Sequence, residues 1–116
     1  MLPTVVETSV FARKAEKLFT ADEHEELIEY LSIYHSAGDE IPGTGGVRKL
    51  RFAAQGRGKS GGVRIIYYFY DDETPLHAIF LFAKNEQVDL TPQQKKEAAA
   101  YAGVIKAQAK AQRKRL

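Results

Sequence analysis

An α+β domain is predicted by this sequence: an antiparallel β-meander packed against an N-terminal helical hairpin, with a C-terminal helix to close it. Three observations carry that prediction. Apolar residues recur at helical spacing from Ser9 to Tyr34, strand-like runs follow between Val47 and Ala83, and Thr91 and Pro92 open a long alanine-rich stretch. The 116 residues suit a single domain, 1–116, and 44% hydrophobic residues are enough to fill one core.

Taken in order, Thr4 to Thr8 (TVVET) is β-branched and follows Pro3, which predicts a short first strand at a sheet edge. Ser9 is the predicted cap of a helix with Phe11, Ala15, Leu18 and Phe19 on its apolar stripe and Arg13, Lys14 and Lys17 in solvent. Thr20 and Glu23 form a capping box for a second helix. There Asp22 and Glu23 complement the positive end of the dipole, and Leu27, Ile28, Leu31 and Tyr34 make the stripe. The run AGDEIPGTGG, 37–46, has no periodicity and four glycines, so a loop is expected. Strands are expected over Val47–Ala53, Val63–Tyr70 and Leu76–Ala83, the last two joined by the polar turn DDETP. The middle one is apolar on both faces apart from Arg64, which makes it central. Thr91 caps the final helix, Gln94 completes its capping box, and Ala98, Tyr101, Ala102, Ile105 and Ala109 face the core.

Composition narrows the function classes. Cysteine is absent, which excludes disulfide frameworks and thiolate metal sites and fits a reducing cytoplasm. The apolar runs are too short to span a bilayer and MLPTVVETSV is no signal peptide, so a cytoplasmic protein without membrane contact is expected. Net charge is only +2, yet it is sorted by region: nine acids against three cations precede residue 47. Val47 to Tyr70 then carries six cations (Arg48, Lys49, Arg51, Arg57, Lys59, Arg64) and no acid, and a basic tail spans about 106–116. A surface of that kind fits an anionic partner, phosphate first.

GRGKSGG contains Gly58, Lys59 and Ser60 in the manner of a nucleotide phosphate loop, but the chain runs here from strand to strand and Ala53 replaces the first glycine. Asp71, Asp72 and Glu73 are the one tight acidic cluster and sit in a turn, while His24, His35 and His77 lack ligand spacing. What remains is a cationic, metal-free site. For Arg64 two readings stand, a carboxylate partner in the helical layer or a functional contact, and Tyr67, Tyr68 and Tyr70 either pack or stack on bases.

With these residues in view, the chain is similar to the RelE/HigB superfamily, the mRNA-cleaving toxins of bacterial type II toxin–antitoxin modules, and resembles the HigB-type branch most. GVRKLRFAAQGRGKSGGVRIIYYFY and IFLFAKNEQVDLTPQQKK carry the resemblance, which follows element order over roughly Val5 to Ala100. It implies a RelE-like fold whose concave sheet face binds mRNA, generally in the ribosomal decoding site, and cuts it between nucleotides. Arg64 falls where the family keeps an arginine on the scissile phosphate, Arg48, Lys49 and Arg51 fall in its basic strand, and Lys84 falls where another cation is usual. The expected catalytic residues are therefore Arg64, Lys84 and Lys49, with Arg48, Arg51, Arg57, Lys59 and Tyr68 as RNA contacts and no cofactor. Some members place a tyrosine near the start of the last helix as acid or base; here the chain reads Asp89, Leu90, Thr91 and Pro92, so no general base is assigned. The implied partners are mRNA, the ribosome and a HigA-like antitoxin with a helix-turn-helix domain, through which alone operator DNA is contacted. The rival is a non-catalytic RNA- or ribosome-binding module using the same basic sheet.

Overall fold

Helices cover both faces of one mixed sheet. A computed structural model describes residues 2–53 and 62–114. In chain order it contains β1 (Val5–Glu7), α1 (Ser9–Leu18), α2 (Ala21–Ile33), β2 (Asp39–Glu40), β3 (Arg48–Phe52), β4 (Val63–Tyr68), β5 (Leu76–Ala83) and α3 (Pro92–Lys114). Among the described residues the sheet has the strand order β1-β5-β4-β3-β2. The expected meander of β3, β4 and β5 is antiparallel, and the α+β class holds. β1 is an edge strand as expected, but it runs parallel to β5, a pairing that crosses most of the chain.

Period-two alternation decides which side chains meet which helices. Leu50, Phe52, Val63, Ile65, Tyr67, Leu76, Ala78 and Leu81 bury one sheet face against Phe11, Ala15 and Phe19 of the α1 segment and Leu27 and Leu31 of α2. Val47, Ile66, Tyr68, Ile79 and Phe82 bury part of the other face beneath Ala98 and Ala102 of α3. β4 is buried along its whole length for that reason. A register shift at Ile66/Tyr67 sets Ile66 opposite Phe80 and Tyr67 opposite Ala78, leaving Ile79 as the extra residue of β5. Ile79 and Phe80 therefore both serve the α3 side.

The helix starts follow cap chemistry with one correction. Thr8, not Ser9, caps α1: its Oγ1 accepts from Phe11 N at 3.1 Å, while Ser9 is already helical. The same hydroxyl donates to Ile79 O at 2.7 Å, so the cap is fastened to β5. Capping boxes stand as expected at α2, between Thr20 and Glu23, and at α3, between Thr91 and Gln94. Tyr34 is the other departure; it follows the last turn of α2 and is 54% exposed instead of lying on the stripe.

The expected loop 37–46 contains β2, because Asp39 and Glu40 pair with Lys49 and Arg48. Tyr67 explains how that segment is held. Its hydroxyl donates to His35 O at 2.9 Å and accepts from Gly38 N at 3.0 Å, and a Cβ at Gly38 would lie 2.9 Å from the same oxygen. Among the described residues no helix is long and apolar enough to cross a membrane.

Candidate nucleic-acid interface

β3 and β4 place their cations by parity. Cross-strand partners are Arg51 with Arg64 and Lys49 with Ile66, so Lys49, Arg51 and Arg64 share the sheet face that α3 only partly covers. Arg64 is 5% exposed, whereas Arg51 beside it is exposed. Like charges directly opposite each other disfavour a strand pair, and the planar fork of an arginine suits a pair of anionic oxygens. On the other side Arg64 faces Phe82 of β5, two residues before Lys84.

Lys84 is exposed in the turn that follows β5. Glu86 fixes this turn by accepting from Ala83 N at 2.9 Å and from Lys14 Nζ at 2.6 Å, and these donors hold its carboxyl below the usual glutamate range. Lys84 N also donates to Gly62 O at 3.4 Å. Gly62 adopts φ +71 at the foot of β4, where a Cβ would come within 2.4 Å of Phe52 O; only glycine fits there without moving backbone. Lys49 reaches towards the start of α3, its Nζ lying 2.6 Å from Asp89 Oδ1. Gln87 Nε2 ties that corner together by donating to Asp89 O at 2.8 Å and to Gln94 Oε1 at 2.9 Å.

Two of the expected RNA contacts are engaged within the protein. Arg48 is turned to the opposite face by the same alternation that puts Lys49 on the α3 side. Its Nη1 donates to Gly38 O at 2.6 Å and Ser36 O at 3.2 Å, and Nη2 lies 3.7 Å from Glu40. Tyr68 is on the cationic face but only 3% exposed, stacked 6.5 Å from Tyr70 in the layer under α3. Its burial, with Tyr70 and Asp71 close by, raises the phenol pKa and keeps it protonated. Arg57 and Lys59 lie outside the described residues.

Other titratable groups are engaged in structural contacts. Asp71 accepts from Arg113, Thr74 Oγ1 and Glu73 N, and Arg113 also meets Glu73 at 3.3 Å, so this acidic turn is clamped to the end of α3. Among the described residues no group of three or more His, Cys, Asp or Glu side chains could hold a metal ion. His77 Nδ1 lies 2.8 Å from Tyr101 Oη, with burial lowering the imidazole pKa. Sequence reasoning missed a cavity on the rim of the cationic face, lined by Asp39, Lys49, Asp89 and Lys95 among others. No periodicity signals it, because its walls come from three separate parts of the chain.

Comparison with known proteins adds two findings. The family described as "RelE toxin of RelE / RelB toxin-antitoxin system" matches residues 4–116. Among solved structures, the free state of a doubly substituted E. coli toxin RelE superposes with a TM-score of 0.56 at 14% sequence identity, covering 87% of this chain and 97% of that one. That likeness establishes a shared fold.

Proposed function

The chain belongs to the RelE toxin family, and from that premise we propose that it is an mRNA endoribonuclease, working in the cytoplasm on ribosome-bound message to stop translation. The observation that carries the proposal is the Arg51–Arg64 pair on an open sheet face, flanked by Lys49 and Lys84. A phosphodiester entering that face meets the exposed Arg51 fork and brings its charge close to Arg64 on the neighbouring strand.

The reaction is internal transfer. The 2′-oxygen of the substrate attacks the adjacent phosphorus, the bond from phosphorus to the 5′-oxygen breaks, and the products are a 2′,3′-cyclic phosphate and a 5′-hydroxyl. The 2′-hydroxyl gives up its proton to solvent water, no general base being assigned, and the leaving 5′-oxygen gains one from a lysine ammonium. Arg64 and Arg51 stabilise the charge that grows on the non-bridging oxygens, an electrostatic contribution that persists through the transition state. Lys49 and Lys84 are the proton donors within the same patch. The test replaces the nucleotide 5′ of the cut with its 2′-deoxy form: the message should bind nearly as well and survive. Cutting at the normal rate would mean that water, not the 2′-oxygen, attacks. The rival binding module is excluded or adopted by the unmodified message in a translating extract, which it would hold without cutting.

Membership of a toxin–antitoxin family implies a cognate antitoxin. The proposed partner is HigA-like, with a helix-turn-helix domain that alone touches operator DNA, and it neutralises this protein by laying acidic side chains over the cationic face. The salt dependence of that complex is its test.

A further inference from the structure

We propose that the cavity beside Lys49 is a base-reading subsite that takes guanine from the nucleotide next to the scissile phosphate; the inference rests on the endoribonuclease reading above. The cavity is a half-open groove of about 510 Å³, with ample room for one flat heterocycle. Ile41, Pro42 and Leu90 give it apolar walls against which a base can lie. One wall is rigid, since Ile41 N donates to Val47 O at 2.8 Å and Ile41 O accepts from Thr44 Oγ1 at 2.7 Å.

Its polar groups are arranged by the sheet. Asp39 stands opposite Lys49 in the β2–β3 register, so its carboxylate is on the face of Lys49, Arg51 and Arg64, while Glu40 turns away to Arg48. Asp89 is already occupied by Lys49. Asp39 is exposed and its carboxylate accepts no hydrogen bond among the described residues. Across the opening Lys95 reaches from α3 to the β2–β3 connection, where a Cβ on Gly43 would lie 3.6 Å from its Nζ.

A free carboxylate beside an ammonium selects among bases by donor pattern. An ionised carboxylate only accepts and an ammonium only donates. On its pairing edge guanine presents two adjacent donors, N1–H and the 2-amino group, followed by the O6 acceptor, which matches Asp39 and Lys95 in turn. Adenine and cytosine set a single amino group beside an acceptor nitrogen that a carboxylate repels, and uracil sets one N–H between two carbonyl oxygens. Lys49 and Arg51 are two residues apart on one strand, roughly 7 Å. A base in the cavity therefore belongs to the nucleotide adjoining the phosphate held by Arg51 and Arg64.

The experiment compares wild-type protein with Asp39→Asn on messages that carry guanine, inosine, adenine, cytosine or uracil on each side of the cut in turn. Inosine retains N1–H and O6 and lacks the 2-amino group. Guanine should be cut about tenfold faster than inosine by the wild type, the value of one hydrogen bond to a charged acceptor. Asp39→Asn should bring that ratio close to one, slowing the guanine message more than the inosine message, because only guanine loses the bond from its 2-amino group as well as the charge on N1–H. Equal cutting of all five messages, or a guanine preference that survives in Asp39→Asn, would overturn the subsite and leave the endoribonuclease intact. Guanosine monophosphate titrated against inosine monophosphate reads the cavity without any cleavage. The backbone amides of Asp39, Ile41 and Lys95 should respond at lower concentration of the guanosine nucleotide, and only in the wild type. Equal responses would also overturn the subsite. Selective responses in a protein that cuts nothing would overturn the endoribonuclease reading instead.

Discussion

Arg64 and Tyr67 lie three residues apart on β4 and serve opposite faces of the sheet. For Arg64 the expected outcome of Arg64→Lys is a folded protein with reduced growth inhibition, since charge is kept and the planar fork lost. Arg64→Ala should lose about 10² to 10³ in cleavage rate while still melting cooperatively; an unfolded Arg64→Ala would return the arginine to a purely structural role. For Tyr67 the expectation is reversed. Tyr67→Phe strands Gly38 N–H in the interior and removes the donor to His35 O, so it should cost about 1–3 kcal/mol in denaturant unfolding and leave the cleavage rate of the folded fraction unchanged. Arg64 was legible in the sequence because a lone cation in an apolar strand stands out. The face taken by Arg48 was not legible, since a run such as Arg48-Lys49-Leu50-Arg51 reveals which face each residue takes only when the register is known. Tyr67 was equally opaque, its partners lying 29 and 32 residues away.

Among the elements, α3 is the most exposed to solution conditions because its two ends are fastened by different chemistry. The first turn is held by a neutral capping box and the last by the ion pairs of Arg113 with Asp71 and Glu73. Burial alone would raise the Asp71 carboxyl, but the hydrogen bonds from Arg113, Thr74 and Glu73 N outweigh it and hold the pKa below an ordinary aspartate's 3.8. The stability this adds is complete above that value and is lost as pH falls through the lower folded-state pKa. Acidification should therefore fray the C-terminal turn of α3 before the N-terminal one, seen as loss of amide protection near Arg113. In Arg113→Ala the turn should be frayed already at neutral pH and show a smaller further change. The start of α3 was readable from Thr91, Pro92 and Gln94, a local pattern, whereas the clamp joins residues 42 positions apart and has no local signature.

At the scale of the whole molecule the charge sorted along the sequence becomes charge sorted in space. α2, with Asp22, Glu23, Glu25, Glu26 and Glu29, packs on the sheet face opposite to Lys49, Arg51 and Arg64. An acidic antitoxin segment over the cationic face should bind about tenfold more weakly when salt is raised from roughly 0.1 M to 1 M, as read by calorimetry. Affinity indifferent both to salt and to Arg51→Gln would show capture elsewhere on the surface. The α+β class and the element order were legible because they follow from periodicity and caps. The parallel seating of β1 was not, because nothing in TVVET indicates which strand it will join. That seating also governs timing. The Thr8 hydroxyl that starts α1 is completed by Ile79, 71 residues later, and β1 has its ladder only on β5. A chain emerging from the N-terminus onwards must wait for β5 before either is satisfied, and contacts of such long range slow the final closure. The whole of β5 must therefore have left the ribosome before the sheet can be completed at its β1 edge.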